Sequence, residues 1–105
     1  MADLHIYVNG AYISIRMYVA SREAAELLAA QYGMRIRRHR NVFEACTSSR
    51  KALRCVVPKL AANYPDMFDK LEYVAEYAQE GTSPGRRLEI TNILRRKNED
   101  NHANS

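Results

Sequence analysis

Hydrophobic and polar residues alternate from the start of the chain. Leu4, Ile6 and Val8 fall on one side of an extended segment and His5, Tyr7 and Asn9 on the other, the period of a strand with one buried face. Asn9-Gly10 comes next, a pair of residues that both tolerate the positive φ of a tight hairpin turn. The alternation then resumes, with Ile13, Ile15, Met17 and Val19 set against Tyr12, Ser14, Arg16 and Tyr18. These two runs predict a β-hairpin with an apolar back and a polar, aromatic front.

The period changes after Val19. Ser21 is a natural N-cap, and Glu23 puts a carboxylate in the first turn, where the helix dipole favours it. Ala24, Leu27, Leu28 and Gln31 recur at helical spacing and Gly33 is a natural stop, which predicts a helix from about Arg22 to Tyr32. Alternation returns with Met34 and Ile36 opposite Arg35, Arg37 and His39. After a turn near Asn41, Phe43, Ala45 and Thr47 alternate with Glu44, Cys46 and Ser48, a second hairpin. Ser49 can cap a helix carrying Leu53, Val56, Val57 and Leu60, which Pro58 must bend or end because it removes a backbone donor. Pro65 and Asp66 open a further helix with Met67, Leu71, Val74 and Ala78 on one face, closing at Gly81. Thr82-Ser83-Pro84 starts the last one. Its narrow apolar stripe of Ile90, Ile93 and Leu94 is flanked by Arg86, Arg87, Arg95, Arg96 and Lys97. From Asn98 the chain is polar, and residues 98–105 are expected to be a flexible tail. The predicted order is β-β-α-β-β-α-α-α, a single α+β domain over residues 1–97.

Charge sharpens this picture. The 105 residues carry a net charge of +4, a mild bias towards polyanionic partners. Its distribution says more, because Arg35-Ile36-Arg37-Arg38-His39-Arg40 holds four arginines in six residues. In strand register Arg35 and Arg37 share a face with the polar side of the first hairpin. That front would present His5, Tyr7, Asn9, Tyr12, Ser14, Arg16, Tyr18, Arg35, Arg37 and His39, together with Glu44. Arginine bonds guanine edges and phosphates bidentately, asparagine reads adenine, and tyrosine and serine meet phosphates. The bland alternative is a solvated sheet face whose charge serves solubility and edge protection. The interleaving of arginine with tyrosine, asparagine and serine on neighbouring strands favours nucleic acid.

Other classes have less to stand on. Two cysteines, Cys46 and Cys55, make no disulfide framework and no zinc-site spacing, and read as thiols in a reducing, intracellular compartment. The first residues lack the basic and apolar regions of a secretory signal, and no run is apolar enough to span a bilayer, so no membrane partner is expected. No glycine-rich phosphate loop, nucleophile elbow or HExxH helix is present, and no cofactor is expected for the chain alone.

Two longer stretches resemble a known family. Residues 11–34, AYISIRMYVASREAAELLAAQYGM, look like the second strand, connecting helix and glycine stop of a LAGLIDADG homing endonuclease domain, with Tyr32-Gly33 as the aromatic-glycine pair. Residues 42–60, VFEACTSSRKALRCVVPKL, are similar to that family's fourth strand and the helix ending in Leu-Pro-x-Leu, here Val57-Pro58-Lys59-Leu60. The resemblance covers roughly residues 3–80. It implies an αββαββα fold whose sheet forms a saddle over the DNA major groove. It also marks a departure. The namesake helix, which packs two domains together and ends in the metal-binding acid, has no place ahead of a strand starting at about residue 4. Laid on the end of that motif, Asp3 falls at the acid's position, with Leu4 where glycine should follow. Lys70 would correspond to the family's catalytic-site lysine, with AANYPDMFD intervening.

Three readings follow. The first is a nuclease-dead relative that keeps the nucleic-acid saddle, on DNA or alternatively on RNA. The second is half of a split endonuclease, in which a second copy or another polypeptide supplies the missing helix and Asp3 helps to hold Mg²⁺. The third is a small protein-binding adaptor or inhibitor. In each, the apolar back of Ile13, Ile15 and Met17 needs cover, from a partner or from the Ile90, Ile93, Leu94 helix folding back or swapping.

Overall fold

Two hairpins form one four-stranded antiparallel sheet. The computed structural model describes residues 2–103. Strands β1 (Leu4–Asn9) and β2 (Tyr12–Val19) pair with Ile6 opposite Ile15 and Val8 opposite Ile13. The turn between them is centred on Gly10-Ala11 rather than on Asn9-Gly10. Asn9 and Tyr12 still face each other as a strand pair, and the positive φ falls on Gly10 alone, at 62°. Strands β3 (Arg35–His39) and β4 (Val42–Thr47) form the second hairpin, and Arg40, with φ 58°, takes the left-handed position of its turn. The sheet order is β1-β2-β4-β3, so the two hairpins meet through β2 and β4, with Met17 opposite Ala45.

Helix α1 (Arg22–Tyr32) begins where the Ser21 hydroxyl accepts the Ala24 N–H at 3.1 Å. It ends where Gly33, at φ 67°, returns its N–H to the Ala29 carbonyl, a left-handed cap that glycine adopts without a Cβ clash. Helix α2 (Arg50–Asn63) is capped in the same way by Ser49 on the Ala52 N–H, 3.1 Å. Pro58 lies inside α2 and does not end it. The helix continues for five residues beyond the proline, and Val56, Val57 and Leu60 on either side of it are buried. Their burial outweighs the single backbone bond that proline forfeits. A short 3₁₀ turn (Pro65–Met67) leads into α3 (Phe68–Ala78), and α4 spans Pro84–Ala103. Residues 98–103, expected as tail, continue α4; residues 104 and 105 lie outside those described.

All the helices pack behind the sheet. Ile13, Ile15 and Met17 are fully buried, and they share one core with Leu53, Leu60, Leu71, Val74, Ile90 and Leu94. The apolar back of the first hairpin is thus covered by the chain's own helices, α4 among them, and of the covers anticipated from sequence it is the folding back that this chain displays. Polar side chains pin the same hairpin. The hydroxyls of Tyr64 and Tyr77 donate to the carbonyls of Ala2 and Ala11 at 2.6 and 3.2 Å. Asn98 Nδ2 donates to Ile6 O at 3.0 Å and Arg95 Nη2 to Gly10 O at 3.0 Å. β1 is an edge strand, and Asn98 occupies a carbonyl that the edge leaves open, while Arg95 holds the turn beside it. Among the described residues no helix is long and apolar enough to cross a membrane.

Candidate nucleic-acid interface

The strand register decides which polar side chains share the open face. One cross-strand row is His5, Arg16, Cys46 and Arg35; a second is Tyr18, Glu44 and Arg37; Tyr7 faces Ser14, and Asn9 faces Tyr12. With the turn pair of His39 and Val42, every residue expected on the front of the sheet lies there. His5, Tyr7, Asn9, Tyr12, Arg35, Arg37 and His39 are exposed, and Ser14, Arg16 and Tyr18 half-buried. Arg38 alternates to the opposite face, across from Phe43.

Arg16 sits at the centre of this surface. Its guanidinium lies 4.5 Å from the centre of the Tyr7 ring, its Nε donates to the Ser14 hydroxyl at 3.2 Å, and the same Nε is 3.4 Å from Glu44 Oε1. Burial works against its charge, but hydrogen bonding to Tyr18 and the neighbouring Glu44 carboxylate outweigh it. Hydrogen bonding to Tyr18, and then burial, also raises the pKa of Tyr7, which favours its neutral phenol. Glu44 is only 3% exposed, and its Oε1 has no hydrogen-bond partner among the described residues. The alternation along β4 put Glu44 on the front. Its burial and its pairing with Arg16 could not be read there, since both depend on which strand lies beside β4. Cys46, in the row between Arg16 and Arg35, is buried as well, and burial followed by the Glu44 charge pushes its thiol up.

Aromatic rings run diagonally across the face. Tyr7 and His5 are 6.1 Å apart between ring centres, His5 and Tyr18 5.7 Å, and Tyr18 and His39 6.5 Å, each pair tilted or edge-on. At the end of the sheet nearer the first turn the face deepens into an open concavity of about 970 Å³. Tyr7, Asn9, Tyr12, Ser14, Arg16 and Arg35 line it, together with Ser48, Ser49 and Ala52 at the start of α2. The charged side chains that line this concavity are Arg16 and Arg35. The Ser49 cap was legible in the sequence; its place beside Arg35 was not.

The two residues singled out for catalysis sit on different elements. Asp3 is exposed at the start of β1, in the electrostatic neighbourhood of Tyr64. Lys70 is on α3, where its Nζ donates to Asn98 Oδ1 at 3.0 Å, and burial followed by the charge of Lys97 lowers its pKa. Among the described residues no ion pair joins the two, and no group of three His, Cys, Asp or Glu side chains could hold a metal ion.

Comparison with known proteins bears on the fold. No family model matches the sequence, and no curated protein matches it. Solved structures do match. An archaeal intron-encoded homing endonuclease complexed with DNA superposes with a TM-score of 0.53 over 89% of this chain and 87% of its own, at 12% identity. The homing endonuclease I-TnaI gives 0.53 over 95% and 88%, at 15% identity. The meganuclease I-SmaMI bound to uncleavable DNA gives 0.61 at 9% identity over 90% of this chain, which spans 38% of that protein. At such identities the likeness speaks for architecture. This chain has the α+β fold of the homing endonucleases, four antiparallel strands backed by helices.

Proposed function

We propose that the open face of the sheet is a nucleic-acid-binding surface, and that the chain on its own binds without cutting. The observation that carries this reading is the asymmetry of the sheet. Its back is filled by the chain's own helices, while its front gathers Arg16, Arg35 and Arg37 with tyrosines and histidines and is left uncovered. A face that served only solubility would need no Arg16 held at once by Tyr7, Ser14 and Glu44. Such ordering of a guanidinium suits a ligand with fixed phosphate spacing. DNA is the first ligand to try, because two of the structural neighbours are complexes with DNA; RNA offers the same phosphates. Cleavage would need clustered carboxylates to hold a divalent cation, and among the described residues no three His, Cys, Asp or Glu side chains form such a site. A partner polypeptide or a second copy would have to complete it.

The test is a salt titration of binding, followed by fluorescence anisotropy. Three arginine–phosphate contacts give a slope of log K against log salt of about −3 on duplex DNA, and about −2 on a single strand. Arg37→Ala should make the slope shallower by about one, whereas Arg38→Ala, equal in charge and on the other face, should leave it nearly unchanged. Equal losses from both would place the ligand elsewhere. If duplex DNA, single strands and structured RNA all fail to bind at low salt, the face is not a nucleic-acid surface, and a protein-binding adaptor becomes the better account.

A further inference from the structure

The ring pattern on the sheet specifies more than charge does. Resting on the nucleic-acid reading above, we infer that the open face takes unpaired bases, so that its ligand is a single-stranded or looped tract. The argument starts from the diagonal of Tyr7, His5, Tyr18 and His39, whose successive ring centres are 5.7 to 6.5 Å apart. Phosphate binding needs donors and positive charge, and Arg16, Arg35 and Arg37 supply both without any ring. Ring faces are what unpaired bases use, because every base presents a π-face and stacks on an aromatic side chain whatever its identity. In a continuous duplex those faces are already stacked on one another, and only edges and phosphates reach a protein. A four-stranded antiparallel sheet with aromatic side chains on its open face is also an arrangement on which single strands are bound elsewhere among proteins.

Position and environment support this assignment. Tyr7 is 39% exposed although Arg16 lies 4.5 Å from its centre on one side. The cation therefore backs the ring and leaves its remaining surface to solvent. Tyr18 is half-buried between His5 and His39, held in place by both. Rings fixed by their neighbours lose little freedom when a base lands on them, which favours binding. The hydrophobic core makes no use of the rings, since they stand on the opposite side of the sheet from Ile13, Ile15 and Met17.

The experiment compares four labelled probes at one salt concentration: a mixed-sequence DNA strand, the same sequence as RNA, its perfect DNA duplex, and an abasic strand of equal length. The abasic strand keeps the phosphates and lacks the bases. The intact strands should bind at least about tenfold more tightly than the abasic one, and more tightly than the duplex. Tyr18→Leu and Tyr7→Leu should each weaken single-strand binding about tenfold with the salt slope unchanged, while Tyr18→Phe, which keeps the ring, should retain it. The DNA and RNA arms separate the two sources of unpaired bases. Equal affinity for abasic and intact strands, or a preference for the duplex, would overturn the inference while leaving the charged surface intact, provided Arg37→Ala still changes the slope. Failure of all four probes would instead remove the nucleic-acid reading itself.

Discussion

Replacing Leu94 by alanine tests the packing on which the open face depends. Leu94 is 0% exposed and belongs to the same core as Leu4, Ile6, Ile13, Ile15 and Met17. Alanine would leave a cavity between α4 and the back of the sheet. Leucine-to-alanine changes at fully buried sites cost about 2–5 kcal/mol, and alanine's better helix propensity returns only a few tenths. A domain of this size has roughly 5–15 kcal/mol in hand, so a loss near 3 kcal/mol is a large fraction of the total. With a urea m-value of about 1.5 kcal/mol/M, the midpoint should fall by roughly 2 M. Leu88, on the same helix but 51% exposed, is the control, and Leu88→Ala should stay within about 0.5 kcal/mol. Urea unfolding followed by circular dichroism measures both. The wild-type midpoint should also be constant over about a hundredfold range of protein concentration, because α4 folds onto its own sheet; a swapped pair would gain stability as concentration rises. A loss at Leu94 below about 1 kcal/mol, matching Leu88→Ala, would show that α4 does not seal the core.

Four further outcomes can be checked on the same protein. The Glu76 carboxylate receives two hydrogen bonds from Arg86, at 2.6 and 2.9 Å, which with the neighbouring charge hold its pKa below the usual value. A depressed carboxylate pKa contributes stability above its unfolded value that is lost as pH falls through the folded one, so the urea midpoint should drop on acidification and Glu76→Gln should flatten that drop. Arg40 holds φ 58° without being glycine, and Arg40→Gly should raise stability by about 1 kcal/mol, read from the same unfolding curves. Iodoacetamide at mildly alkaline pH should modify the exposed Cys55 first, with Cys46 protected by burial and its raised pKa; mass spectrometry of a time course decides the order. Purified protein with Mg²⁺ or Mn²⁺ should leave a randomised plasmid library uncut, and reproducible cleavage abolished by Asp3→Asn would restore the split-enzyme reading.

Local rules made much of this molecule legible in advance. Alternation placed four strands and sorted their residues between back and front, because the side-chain period of a strand is two and one face had to be buried. The Ser21 and Ser49 caps and the Gly33 stop bounded two helices, since each satisfies backbone groups within a few residues of itself. These are short-range effects, written in contiguous residues. Pro58 shows where the local rule fails: a residue that interrupts an isolated helix is carried through when Val56, Val57 and Leu60 are all buried in the common core. Residues 98–103 show the same thing at the other end, where a polar sequence continues as helix and Asn98 is engaged by Ile6 and Lys70. The candidate site was legible as a set of front-facing residues and not as an arrangement. That Glu44 lies buried beside Arg16, and that Tyr18 and His39 come close enough to join four rings in one diagonal, follow from β2 pairing with β4. Strand pairing across the sheet is chosen by the fit of distant segments around a common core, and no single stretch of sequence contains it.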